Sequence, residues 1–211
     1  MSDTEPFRTV AERARAEFEI RGSEFVGYVA PVDTVEAAEA FIEEISERHP
    51  DATHNVPAYR VPAGDRTAGR PGSTMLREYS SDDGEPTGSA GKPALNVLIQ
   101  QDLQNVAAVV TRYYGGTNLG VGGLARAYAR GVKEAVEAAG VVESIPHERF
   151  VVTVEYDDSG TVRGILESSP AEFEASYEST VTFDVRVPID EAGPLREHLR
   201  DATSGRVEID R

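Results

Sequence analysis

The sequence predicts an α+β chain in two parts, the second with the βαββαβ order of a ferredoxin-like fold. Three observations point there. A continuous apolar run at 106–111, VAAVVT, has the pattern of a buried strand. It stands between two Gly-rich loops, each followed by a helical segment. After Pro146-His147 the rhythm becomes strand, helix, strand, strand, helix, strand, and in one of those strands the alternation is strict: Val181, Phe183, Val185 and Val187 face one way, Thr182, Asp184 and Arg186 the other.

Taken in order, residues 1–16 read as a charged lead-in, helical or frayed. Phe18 and Ile20 alternate with Glu17, Glu19 and Arg21. Gly22-Ser23 makes a turn and 25–32 is a second extended run, which together predict a hairpin. Asp33 with Glu36 resembles a capping box. Val35, Ala38, Phe41, Ile42 and Ile45 then mark one face of a helix ending near His49-Pro50. Residues 54–61 form a strand, 62–73 a Gly- and Pro-rich mobile loop, and 75–81 a strand that feeds the first Gly-rich loop. Residues 94–101 form a helix with Pro93 tolerated in its first turn. Residues 124–139 form the longest helix, closed by Gly140, and 141–145 a short strand. In the second part the strands are 150–156, 171–177, 180–188 and 206–210 and the helices 161–168 and 191–202, with domains at 1–146 and 147–211.

The chain has 211 residues, 39% of them apolar, enough for one large or two small cores. No run approaches the length of a membrane span, and the charged N-terminus lacks the apolar stretch of a secretory signal. With no Cys there are neither disulfides nor thiolate metal sites, and a cytoplasmic location is expected. The 21 cations face 37 carboxylates, a net charge of −16. Lysine is confined to Lys92 and Lys133, a balance that reads as adaptation to a high-salt cytoplasm through surface hydration. Residues 86–133 break the trend. There a single carboxylate, Asp102, meets five cations, so the window is +4 and the remainder −20.

That window holds the candidate site. In residues 115–123, GGTNLGVGG, a strand runs into a helix start, where backbone N–H groups and the helix dipole form an anion site that glycines leave open. Gly115, Gly116, Gly120, Gly122 and Gly123 are the candidates for that contact, or for tight turns and close packing. A P-loop is absent. Gly120-x-Gly122-x-x-Ala125 with Glu143 approaches a dinucleotide fingerprint, but the strand ends too early and no second βαβ unit follows. Arg126, Arg130 and Lys133 lie within about 60° of one another on the following helix, one cationic stripe. Lys92 and Arg112 add phosphate contacts, and Tyr113, Tyr114 and Tyr128 are either base-stacking rings or core. Asp82, Asp83 and Glu85 are weak candidates for a metal, with no known ligand spacing, and otherwise an acidic turn. His49, His54, His147 and His198 are scattered, and no nucleophile elbow exists.

The stretches YSSDDGEPTGSAGKPALNVL and VAAVVTRYYGGTNLGVGGLARAYARGV closely resemble the signature of the Impact family, in its two-domain YigZ-type form. RGSEFVGYVAPV, DATHNVPAYRV and the ferredoxin-like tail extend the resemblance over nearly the whole chain. It implies an N-terminal domain like the second domain of ribosomal protein S5 and a C-terminal domain resembling modules of translation elongation factor G. Eukaryotic members are similar to regulators of translation initiation that bind a partner of an amino-acid-starvation kinase. Bacterial-type members are proposed nucleic-acid or ribosome binders, by fold similarity. The expectation is a non-enzymatic, translation-linked protein that contacts RNA, the ribosome or a translation-factor partner through the basic Gly-rich surface, with no cofactor and no membrane. The alternatives are a protein-interaction module and, through the kinases that share the S5-like fold, a phosphate- or nucleotide-binding enzyme.

Overall fold

A computed structural model describes residues 6–63 and 75–210. Contacts divide it into two units, Phe7–Ser144 and one built from residues 145–210.

In the first unit, Arg21 and Gly22 both take left-handed φ (50° and 80°). That is the backbone of a tight turn between twisted antiparallel strands. The chain before it is not a helical lead-in: β1 (Phe7–Val10) and β2 (Ala14–Ile20) are strands. Strand β2 pairs with β3 (Ser23–Pro31) as the predicted hairpin. Helix α1 (Val35–Arg48) starts at Thr34, whose hydroxyl accepts the Ala37 N–H, so the cap is one residue after the Asp33 that the pattern suggested. It leads to β4 (His54–Pro62) and β5 (Leu76–Ser80), an antiparallel pair. The mobile loop expected at 62–73 falls mostly outside the described residues. Helix α2 (Gly91–Gln100), strand β6 (Val106–Tyr113), helix α3 (Val121–Ala139) and strand β7 (Val141–Ser144) complete the unit. Both helices begin three residues before their predicted starts. Gly140, at φ 72°, closes α3 as expected, and β7 pairs with β1 so that the unit's two ends meet.

The main sheet has the order β2-β3-β6-β4-β5, every neighbouring pair antiparallel. This excludes the dinucleotide fold, which needs parallel βαβ units. Strand β6 reads as continuous apolar residues because both of its faces are covered. Val106, Ala108 and Val110 join the core beneath α2 and α3, and Ala107 and Val109 the core beneath α1. Helix α3 approaches β3 backbone to backbone, since a Cβ on Gly27 would lie 2.1 Å from the Gly131 carbonyl oxygen.

The second unit consists of β8 (His147–Val154), α4 (Tyr156–Glu167), β9 (Glu172–Tyr177), β10 (Val181–Pro188), α5 (Ile189–Ala202) and β11 (Glu208–Asp210). Its sheet order, β11-β8-β10-β9, is that of a ferredoxin-like fold. The alternation in β10 holds: Val181, Phe183, Val185 and Val187 join Phe150, Val152, Leu166 and Leu199 in one core. Helix α4 starts five residues early, with Asp157 and Asp158 in its first turn, where carboxylates suit the helix dipole.

Two glycines test this packing in opposite directions. Gly27→Ala drives a Cβ into backbone and is expected to lower the unfolding free energy by about 3 kcal/mol or more. Gly164→Ala, on an exposed position of α4 with nothing within 4 Å, is expected to raise it by about 1 kcal/mol. Denaturant unfolding of the two variants measures both.

Candidate anion-binding surface

Antiparallel pairing brings the C-terminal end of β6 beside the N-terminal ends of β3 and β4, with Tyr113 opposite Glu24 and Arg112 opposite His54. Both Gly-rich loops are held at this end of the sheet. The Asp83 carboxylate accepts the Asn55 N–H at 2.6 Å, and His54 Nδ1 donates to the Asp83 carbonyl at 2.6 Å. Across the gap, Gly115 lies against the β2–β3 turn so closely that a Cβ would sit 1.8 Å from the Gly22 carbonyl oxygen. Its N–H reaches Ser23 Oγ at 3.1 Å, and the Tyr114 N–H reaches Thr53 Oγ1 at 2.9 Å.

Beneath the loops is a buried polar knot. Arg112 Nη1 donates to Glu85 Oε1 at 2.5 Å, the Tyr128 hydroxyl donates to the same oxygen at 2.7 Å, and Arg112 Nη2 reaches Ser23 Oγ at 3.3 Å. His54 Nε2 lies 3.7 Å from Glu85. The guanidinium lies over the rings of Phe25 and Tyr114, 5.4 and 5.3 Å from their centroids. Burial first, and then the bond to Glu85, push the Tyr128 hydroxyl far above the usual tyrosine range, so it stays protonated as a donor. Arg112 is 4% exposed. It is therefore a structural partner of Glu85 rather than a phosphate contact. Tyr128 is core, and Tyr113 is half-buried with its hydroxyl 2.7 Å from His49 Nδ1.

The acidic turn is equally committed. Asp82 Oδ1 accepts the N–H groups of Ala90 and Gly91 at 3.0 and 2.9 Å, and Oδ2 that of Gly88 at 2.7 Å. Partial burial opposes its ionisation, but those three N–H donors, with Lys92 nearby, outweigh it and hold the carboxyl below the usual range. Asp82 thus fills the N-terminus of α2. With Asp83 on Asn55 and Glu85 on Arg112, the three carboxylates point to different partners. Among the described residues no group of three or more His, Asp or Glu is placed to hold a metal ion.

The start of α3 is different. Gly120 occupies the N-cap at φ 69° with no side-chain cap, and no acid lies in the first turn. Gly116, at φ 82°, and Gly120 satisfy backbone conformation, and a Cβ on Gly123 would lie 3.0 Å from Leu119 Cβ. Gly122 has no such reason: its position is open apart from Arg126 Nη1, 3.5 Å from where a Cβ would be. Arg126 is exposed and has no ion-pair partner among the described residues, as is Lys92 at the start of α2. The predicted stripe does not continue as pure charge. Arg130 donates to Glu134 at 2.6 Å and lies over Phe18 at 4.1 Å, and Lys133 sits 3.8 Å from Glu137. Glu134 and Glu137 follow the basic window, each four residues on from its cation, and share the same helix face. That spacing was the signal for the pairing.

Known proteins resemble the chain along most of its length. The Impact N-terminal domain matches residues 21–136, and a domain of unknown function, DUF1949, matches residues 152–206. The chain is 35% identical to the IMPACT family member YvyE of Bacillus subtilis, over 95% of this chain and 88% of that protein. It is 33% identical to the IMPACT family member YigZ of Escherichia coli, over 90% of each. Protein IMPACT of Rattus norvegicus shares 34% identity over 47% of this chain and 29% of that protein. A crystal structure of a hypothetical protein superposes with a TM-score of 0.65 at 32% identity, covering 98% of this chain and 97% of that one.

Removing the acid of the buried pair leaves Arg112 charged and uncompensated, so Glu85→Gln is expected to lower stability by about 3–5 kcal/mol in denaturant titration. Asp82→Ala is expected to lower it by about 1 kcal/mol through loss of the α2 cap. Because the folded-state pKa of Asp82 is depressed, its contribution is complete at neutral pH. It is lost as pH falls below about 3.9 and through the lower folded value. The gap between wild type and Asp82→Ala should therefore close in that acid window.

Proposed function

The chain belongs to the IMPACT family, and we propose that it is a non-enzymatic, translation-linked binding protein that contacts RNA or the ribosome through the 115–123 loop and the start of α3. One observation carries this reading. Asp82 occupies the N-terminus of α2, whereas that of α3 is exposed, uncapped and free of first-turn acid, beside an unpaired Arg126. Backbone N–H groups in that setting are phosphate donors. Lys92 adds a cation at the end of the other Gly-rich loop, and exposed Tyr114 offers a ring for stacking. The link to translation rests on the family resemblance.

The second unit suits a different role. The sheet face turned away from its helices carries Glu172, Glu174, Asp184, Glu208 and Asp210 against Arg149 and Arg186, with no Phe, Tyr or Trp. Five carboxylates against two guanidinium groups repel phosphate, and the one ring on that face is the His147 imidazole at the start of β8. RNA contact is therefore assigned to the first unit. Matching coverage with YigZ supports a two-domain YigZ-type member, and the acid-rich, lysine-poor composition supports a high-salt cytoplasm. No helix among the described residues is long and apolar enough to cross a membrane.

A protein partner at the same place is the second reading, favoured by the exposure of Val121 (59%) and Tyr114 (45%) beside the loop. Phosphotransfer loses its candidate metal ligands, since Asp82, Asp83 and Glu85 are each held by the fold.

The test is oligonucleotide and ribosomal RNA binding at two fixed salt concentrations, with Gly122→Asp/Arg126→Glu alongside. The variant places a carboxylate where the phosphate would sit and leaves the helix start stable. Expected is a loss of affinity of at least about tenfold, with a salt slope shallower by about one phosphate contact. Wild-type binding that the variant retains would overturn the assignment. Binding of a translation-factor protein but of no RNA, lost in the variant, would move it to the second reading.

A further inference from the structure

On the other face of the main sheet, three arginines gather at one cavity. A single helix, α1, covers that face and packs over β4 and β6. A helix is about 10 Å wide while five strands span nearly twice that, so edge strand β2 is left bare there. The residues of β2 pointing to that side are Arg15, Glu17 and Glu19, whereas Phe18 and Ile20 point to the α3 side. Between β2 and α1 lies a cavity of about 230 Å³. Its floor is Phe41, Ile45, Val29 and Tyr28, all buried, and its rim is Arg13, Arg15 and Arg48 with one carboxylate, Glu44.

Three guanidinium groups meeting at one cavity need a reason in a chain of net −16 with 19 arginines. The bland reading is a surface ion-pair lattice. Glu44 indeed bridges Arg13 Nη1 and Arg48 Nη2, both at 2.8 Å. But the lattice is unfinished. Each guanidinium presents five N–H donors, and Glu44 engages one nitrogen on each of two of them. Arg15 does not reach Glu44: its partner is Glu17, at 3.3 Å and outside the cavity lining. Arg13 lies over the Phe41 ring at 5.4 Å and Arg48 over the Tyr28 ring at 5.8 Å, which orients both groups. The lining itself is left with a charge of +2, and Glu17 beside Arg15 brings the cluster to +1. A phosphate monoester carries about −1.5 to −2 at neutral pH and accepts from several guanidinium groups at once.

We propose that this cavity binds a small phosphate-bearing molecule, its phosphate held by Arg15 and by the unused donors of Arg13 and Arg48, with Glu44 as the internal carboxylate it competes against. The site lies on the opposite face of the sheet from α3 and is independent of the RNA-binding reading.

The probes are inorganic phosphate and glycerol 3-phosphate, with acetate as a monoanionic control, titrated into the full chain at low ionic strength and followed by the arginine Nε–H signals in NMR. Saturable shifts confined to Arg13, Arg15 and Arg48, stronger for the phosphates than for acetate, are expected. Arg15→Ala, an exposed position whose loss leaves the fold intact, should weaken binding about tenfold, the value of one charge-assisted contact. Glu44→Gln should strengthen it, because two guanidinium groups are released. Gly122→Asp/Arg126→Glu should leave it unchanged. No saturable shift with either phosphate, or Glu44→Gln binding no better than wild type, overturns the proposal. Glycerol 3-phosphate binding while inorganic phosphate does not would locate further contacts on the ligand's body; equal binding would identify the free ion as the ligand.

Discussion

The loop end of the first unit depends on one ion pair, Glu85 with Arg112. Both side chains are at least 95% buried. Taking two such ions out of water costs several kcal/mol each, and their attraction offsets that only when the remaining donors and acceptors are satisfied. Here Tyr128 and Ser23 complete the set, although Arg112 Nε is buried without a partner. The pair is weak evidence for net stability and strong evidence for a defined arrangement. It ties β6, the first Gly-rich loop, α3 and the β2–β3 turn into one polar knot. The second loop, which starts three residues after Arg112, is launched from a rigid base.

That knot also sorts the charges. A basic window counted from sequence loses Arg112 to Glu85, Arg130 to Glu134 and Lys133 to Glu137. What remains for a ligand is narrower and more directional: first-turn N–H groups of α3, Arg126 and Lys92. This matters in concentrated salt, where screening shortens to about 3 Å at 1 M and counterion release weakens. A diffuse cationic stripe would have little reach there. Fixed N–H donors at an open helix end still act at contact distance.

Much of the fold was legible because its signals are local. Alternation in 181–187, the apolar run 106–111, the Gly22 turn and Gly140 all report periodicity or backbone conformation that neighbouring residues determine. Strand β1 was not, since its partner, β7, lies more than a hundred residues away in sequence. Gly27 and Gly131 gave no sign that they would meet, because each looks like an ordinary glycine until the helix is laid on the sheet. At the site, the glycines were visible as a group but not by role. Only the three-dimensional contacts separate Gly115, required by close approach, from Gly122, which the fold does not require. Asp82 reads in the sequence as part of an acidic turn and only a weak metal candidate, because carboxylate spacing carries no information about the N–H groups that a loop will turn toward it. Glu134 and Glu137, by contrast, could be paired from spacing alone, and ending the basic window at Lys133 hid them.

The most direct measurement of the central claim is amide hydrogen exchange of the full chain with and without a bound oligonucleotide at fixed salt. New protection at the α3 start, residues 121–123, with none on the acidic sheet face at 172–176, is the result expected of phosphate held by an open helix end. Protection on that sheet face, or none at residues 121–123 while the oligonucleotide is bound, would contradict it.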